Sequence, residues 1–288
     1  MRPSETWRNA LLIAICAPLA SCSATRIAYD NADTALRFMV ASYLELDPEQ
    51  TEDLRQRIVQ FHQWHRRNEL PAYAALLRSA SERAGRGITT EDVAWGLANL
   101  RSRYRSFGAK AAEDAAPVLA TLAPEQVAAL EHRFAENNQK YAKAFLAADG
   151  EKRRRAQARR MLDRFRDFAG DLTPDQEARI ERFALAHEGH VALRFEDRQN
   201  WQREVIEVLK QRRQAQDLGR RLAETFSVPE LRRSETFLNE DKRWDEDLGR
   251  LIVELDRSLS PVQRAHVVRR LADYANDFAT LAGEKEAA

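Results

Sequence analysis

Beyond residue 30, apolar side chains recur at steps of three and four residues along nearly the whole chain. From Val93 they fall at Leu97, Leu100, Tyr104, Phe107 and Ala111, and from Leu54 at Ile58, Phe61 and His65. Trp244, Leu248, Leu251 and Leu255 repeat the pattern, as do Val267, Leu271, Tyr274, Phe278 and Leu281. Alternating steps of three and four place each set on one helical stripe, which a neighbouring helix must cover. No segment alternates with period two over a strand's length. Glycine (10) and proline (9) are also too scarce in 288 residues for a loop-rich β fold. The pattern predicts an all-α chain, an elongated bundle of about eight or nine amphipathic helices packed antiparallel. No linker rich in proline or serine interrupts 31–288, which therefore reads as a single helical domain, or at most as two helical halves meeting near 148–151.

Punctuation sets the expected helices at 31–45, 48–67, 71–84, 90–120, 124–147, 151–169, 174–213, 229–257 and 261–282. Pro71 separates two of them, Pro117 kinks or stops another, and Asp149-Gly150 ends a third. Four helix starts share wording: "LDPEQ" from Leu46, "LAPEQ" from Leu122, "LTPDQ" from Leu172 and "LSPVQ" from Leu259. Asp47, Thr173 and Ser260 suit an N-cap, whose side-chain oxygen accepts a backbone N–H of the first turn. Proline at the next position has no N–H to waste, and glutamine at the third helical position can return a bond to the cap. Ala123 has no such oxygen, so that copy is the weaker. The copies are spaced unevenly, which excludes a solenoid.

The N-terminus is read separately. Arg2 and Arg8 precede "ALLIAICAPLA", an apolar run too short to span a bilayer and suited to a secretory signal. The run ends in Leu19-Ala20-Ser21-Cys22, which resembles a bacterial lipobox. That resemblance implies a signal peptide over 1–21 and transfer of a diacylglyceryl group to the Cys22 thiol, leaving Cys22 as the acylated first mature residue, with palmitate or similar fatty acids as its chains. The other reading is ordinary cleavage after Ala24 with Cys22 lost. Cys16 lies in the apolar run, so a body beginning at Cys22 has no other thiol, which excludes disulfides and cysteine-based zinc or catalytic sites. Ser23 rather than Asp follows the anchor, and lipoproteins similar in this respect go to the outer membrane. Residues 22–30 form the expected tether; about eight extended residues reach at most ~28 Å, so the body stays near the bilayer. Loss of 1–21 takes Arg2 and Arg8 from 46 basic groups and Glu5 from 45 acidic ones, leaving the signs equal. A balanced surface offers no field to draw in nucleic acid.

Two resemblances go further. "SCSATRIAYDNADTALRF", "YLELDPEQ" and "WHRRNELPAYAALLR" are similar to the N-terminal third of an uncharacterised family of Gram-negative lipoproteins, a domain of unknown function. This implies a lipid-anchored helical envelope protein and brings no catalytic residues. Leu172 to Gln176 resembles the Leu-Thr-x-x-Gln signature of Spy- and CpxP-type periplasmic chaperones, which cradle unfolding clients.

Candidates for chemistry are few. His62 and His65, and His187 and His190, are paired three apart on helices, a spacing that could offer metal ligands. His65 and His187 also fall on apolar stripes beside Phe61 and Phe183, which makes them core or boundary residues. Lys152, Arg153, Arg154, Arg155, Arg159 and Arg160 form a basic run that either touches anionic headgroups or is a solvated face behind Met161, Phe165 and Phe168. Asn137 and Asn138 interrupt a seam of Val127, Leu130, Phe134, Tyr141 and Phe145, where a polar residue fixes register or meets a ligand. Glu196 and Asp197 share a polar turn. No nucleophile elbow, phosphate loop or dinucleotide fingerprint appears, so the chain does not read as an enzyme and needs no cofactor. The expected role is protein interaction or scaffolding at the outer membrane, on its periplasmic face. A Spy-like holdase is the alternative, and a metal-dependent activity at the histidines a remote one.

Overall fold

The computed structural model describes residues 26–146, 150–213, 217–231 and 233–283, all of whose secondary structure is helical. Ten α-helices follow in order: α1 (Ala32–Ala41), α2 (Pro48–Arg86), α3 (Thr90–Thr121), α4 (Pro124–Phe145), α5 (Gly150–Ala169), α6 (Pro174–Ala186), α7 (His190–Lys210), α8 (Leu218–Ser227), α9 (Glu235–Ser258) and α10 (Pro261–Ala282). A 3₁₀ turn, Pro229–Leu231, precedes α9 and brings the described helical elements to eleven rather than eight or nine. The expected signal peptide, Cys16 and Cys22 lie outside the described residues. Residues 26–30, expected in an extended tether, are helical.

Prolines and glycines explain the changed boundaries. Pro71 does not end its helix: α2 runs through it for 39 residues, or about 58 Å. A mid-helix proline deprives the carbonyl four residues back of its donor. Here that carbonyl belongs to exposed Arg67, where water can replace the bond, while Leu70 and Ala74 are sealed in the core. Pro117 is tolerated in α3 likewise, since Glu113 is exposed. The single helix expected over 174–213 instead breaks at His187–Gly189. Helix α8 was absent from the sequence reading, although Leu218, Leu222 and Thr225 give it a buried stripe.

The four near-repeats meet in pairs. At each start glutamine closes the expected cap: Gln50, Gln176 and Gln263 donate their backbone N–H to Asp47, Thr173 and Ser260, and each Oε1 accepts the cap N–H. Ala123 has only the return bond, from its N–H to Gln126 Oε1 at 2.7 Å. The spare amide hydrogens then reach across the chain. Gln50 Nε2 donates to the carbonyl and hydroxyl of Thr121 and to Gln126 Oε1; Gln126 Nε2 donates to Glu45 O and Gln50 Oε1. In the second pair Gln176 Nε2 donates to the carbonyl and hydroxyl of Ser258 and to Gln263 Oε1; Gln263 Nε2 donates to Asp171 O and Gln176 Oε1. Even the supporting hydroxyls match, Thr121 to Val118 O and Ser258 to Leu255 O. The chain thus builds the same glutamine knot twice.

The repeat organises the packing. Each knot joins the start of a long helical run, α2 or α6–α7, to the turn before a 22-residue last helix, α4 or α10. The long runs then cross over: α2 packs along α10, and α7 packs along α4. Their far ends are tied to the opposite knot. Arg212, buried after α7, donates to Leu122 O and Leu209 O, while Arg264 donates to Ala84 O near the end of α2. Asp256 accepts from Arg264 and from the Ile88 N–H just beyond α2. Two apolar cores result. One gathers Leu119, Leu122, Val127, Leu130, Val205, Leu209 and Leu222; the other gathers Leu162, Ile180, Phe183, Leu251 and Leu255. Helix α8 approaches α3 so closely that a Cβ on Gly108 would sit 2.6 Å from Phe226 O.

A candidate binding groove

The second knot floors an apolar groove of about 440 Å³ beside the second core. Leu172, Gln176 and Leu259 form its base; Ala80 and Arg83 of α2 and Trp95, Leu97 and Leu100 of α3 form one wall. Phe165 and Phe168 of α5, Ile252 and Leu255 of α9, and Val267 and Leu271 of α10 complete it. Only Arg83, Asp92, Gln176 and Asp256 are polar among its lining side chains, and each is engaged. Asp92 caps α3 by accepting the Thr89 N–H and pairs with Arg83, whose guanidinium lies 4.1 Å from the Trp95 ring centre. The bond from Arg83, seconded by the Thr89 N–H, holds the Asp92 carboxyl below the usual carboxylate range. Gln176 is spent in the knot and Asp256 on Arg264 and Ile88. The groove therefore offers an occupant apolar contact, and its volume falls within the range of ligand sites.

Its apolar surface continues out of the cavity. The sequence stripe on α3 was expected to face the core, yet Leu100 is 57% exposed, Tyr104 56% and Phe107 37%. The core-facing stripe is instead Gly108, Ala112, Ala116 and Leu119, the first three small enough to let α8 come close. From half-buried Trp95 to Phe107 the apolar stripe is about 18 Å long. Phe107 is steadied edge-on against Phe61, with ring centres 5.1 Å apart. Exposed Phe168 extends the opposite wall. A 3–4 stripe signals a covered face without saying whether the cover is this chain or another, which is why sequence reading missed this surface.

The family model of DUF6279, described as a family of unknown function, matches residues 42–244. The chain is a DUF6279 protein. The match takes in the first knot and most of the groove, and it reaches well beyond the N-terminal third that carried the resemblance. No curated protein and no solved structure matches the chain.

The other candidates of this DUF6279 protein fall outside the groove lining. His62 Nε2 bonds Tyr29 O at 3.1 Å and His65 Nδ1 bonds Tyr29 Oη at 2.9 Å, so this pair fastens the N-terminal helical turn to α2. Burial pushes the Tyr29 hydroxyl up to about 12 and His65 down. Glu69, 1% exposed one turn on, accepts from Ser106 Oγ at 2.7 Å. His187 meets Asp247 at 2.9 Å, and His190 stacks on Trp244 and accepts from Arg194. Burial lowers both, His190 to about 4. The two pairs sit at boundaries between helices, and no group of three or more His, Cys, Asp or Glu suited to a metal occurs among the described residues.

Asn138 donates to Gln202 Oε1 at 2.6 Å and accepts from Arg198, fixing the α4–α7 seam; Asn137 beside it is half-buried. Arg233 clasps Asp197 with two bonds of 3.2 Å, and neighbouring Glu196 is exposed. The basic run of α5 is mostly solvated: Lys152, Arg154, Arg155, Arg159 and Arg160 are exposed, and half-buried Arg153 donates to Leu146 O. No helix of the described residues is long and apolar enough to cross a membrane.

Proposed function

We propose that this DUF6279 protein is an envelope lipoprotein that acts by holding an apolar helical segment of a partner protein in the groove. The observation that carries this reading is the apolar stripe from half-buried Leu97 through exposed Leu100 and Tyr104 to Phe107, continuous with a cavity whose polar groups are already paired. An elongated apolar strip about three helical turns long fits an amphipathic helix laid in a groove better than a compact metabolite. The lipobox at Leu19–Cys22 supports acylation of Cys22, and Ser23 supports delivery to the outer membrane of a Gram-negative cell, on its periplasmic side.

The test uses 8-anilinonaphthalene-1-sulfonate as an apolar reporter of groove occupancy. Leu100→Asp with Tyr104→Asp changes two exposed side chains, so the fold should be retained by circular dichroism while dye binding falls at least about tenfold. Equal binding by the variant and the parent would refute the groove reading. Mass measurement of the N-terminal peptide tests the anchor separately, and an unmodified terminus beginning beyond Cys22 would overturn it.

The Spy-like holdase reading draws on the same apolar surface, but its sequence support is committed elsewhere. Thr173 caps α6 and Gln176 is tied into the knot. Protection of a denatured client from aggregation, abolished by the same double substitution, would favour that reading over a dedicated partner.

A further inference from the structure

We infer that α1 and the helical turn before it lie on the bilayer, with Ile27, Phe38 and Met39 inserted among the lipids as a second attachment beside the acylated cysteine; this rests on the reading of Cys22 as the anchor. Backbone bonds from Asn31 N–H to Ile27 O and from Ala35 N–H to Asn31 O carry the helical path across the junction between the turn and α1. Most exposed positions along it fall together. Ile27, Ala28, Asn31, Ala35, Phe38, Met39 and Ser42 follow one another at helical spacing and form one outward stripe, with exposed Asp30 and Ala41 at its edge. That stripe carries no charge. Arg26 is turned to Asp277, Asp30 to Arg66, and Arg37 to Asp33 and Thr34.

The stripe is also unusually apolar. Phe38 is 74% exposed, Ile27 62% and Met39 53%, and α1 buries no residue of its own. Large side chains so placed are costly in water and gain most where an interface accepts them. Cys22 lies five residues before Ile27, a distance that the chain spans in at most about 18 Å. A fatty-acylated Cys22 therefore brings the stripe within reach of the membrane surface, and the bonds of Tyr29 to His62 and His65 hold the turn rigidly to the body. The acyl chains on Cys22 hold the chain on the bilayer, and burial of the stripe adds to that attachment and fixes how the body lies on the surface. An uncharged apolar stripe does so without needing anionic lipid, so the contact should persist in phosphatidylcholine and at high salt.

The experiment uses the full acylated protein in phosphatidylcholine vesicles. With Cys22 blocked by acylation and Cys16 removed with the signal, Met39→Cys provides one thiol for an environment-sensitive nitrobenzoxadiazole label. Val262→Cys, on an exposed position of α10, provides the control. Label at 39 should shift to the blue and lose emission when spin-labelled phosphatidylcholine is included, whereas label at 262 should do neither. Water-like emission at both positions would overturn the inference. So would a blue shift at 39 that lipid-borne spin labels do not quench, because a second copy or another protein would then be covering the stripe. The mass of the N-terminal peptide from the same sample separates the two claims. Acylation without quenching at 39 removes the stripe contact alone; quenching by added vesicles without acylation removes the anchor alone.

Discussion

Replacing Gln176 with alanine should destabilise the protein far more than an isolated helix cap would. Gln176 is 1% exposed and carries five contacts. Its Oε1 accepts from the Thr173 N–H and from Gln263 Nε2, both at 2.9 Å. Its Nε2 donates to Ser258 O at 3.1 Å, Ser258 Oγ at 3.2 Å and Gln263 Oε1 at 3.2 Å. A buried hydrogen bond contributes about 0.5–1.5 kcal/mol net, and orphaned partners add their own desolvation cost. Three groups are left short, so the loss should be about 3 kcal/mol. Gln126→Ala in the first knot is the matched comparison: Gln126 is only half-buried, water can replace its partners, and the loss should be about half as large. Gln176 and Gln263 should also be coupled, the double alanine variant costing about 1–2 kcal/mol less than the two singles together. Urea unfolding followed by far-ultraviolet circular dichroism, with midpoints compared at constant slope, reads these differences. A Gln176→Ala loss below about 1 kcal/mol, or strictly additive single losses, would refute the reciprocal amide pair.

Three further outcomes are expected. Gly108→Ala should cost about 1–3 kcal/mol in thermal or urea unfolding, because its methyl group would press on the backbone of Phe226 and push α8 from α3. Leu100→Ala should change stability by no more than about 0.5 kcal/mol, whereas Leu209→Ala, at a site with 0% exposure, should cost about 2–5 kcal/mol in the same assay. His190 is held near a pKa of about 4 in the folded protein, so between its ordinary value and pH 4 the unfolded chain binds more protons than the native one. Stability from this group is therefore full above about pH 6.5 and falls on acidification, by about 1–2 kcal/mol after solvent screening. His190→Phe should flatten that slope when unfolding midpoints are compared across pH, and an unchanged slope would contradict the assignment.

Local signals were readable in the sequence and long-range ones were not. The caps at Asp47, Thr173 and Ser260 form as the Pro and Gln beside them require, because every atom of a cap lies within four residues. The meeting of Gln50 with Gln126, or Gln176 with Gln263, leaves no trace in spacing, since each glutamine satisfies its own helix first and uses only its spare amide hydrogens on the partner. Pro71 reads as a break because proline removes a donor. Whether the helix survives depends on the exposure of Arg67 and the burial of Leu70, which are properties of the folded body. Gly189 in "HEGH" was the available sign that α6 ends there. The groove was hidden for a different reason. Its Leu100 and Tyr104 keep the same periodicity as a core stripe, and the small residues from Gly108 to Ala116 that really face α8 carry a weaker apolar signal.

The central claim is that the α3 stripe is a docking surface for a protein partner at the membrane. Site-specific photo-cross-linking in intact cells tests it most directly, with the photoreactive residue at position 100 and, as control, at exposed position 262. The account predicts a discrete adduct from position 100 that is absent from position 262 and is lost when Cys22→Ser removes the anchor. The same pattern from both positions, or no adduct from position 100 in acylated protein, would contradict it.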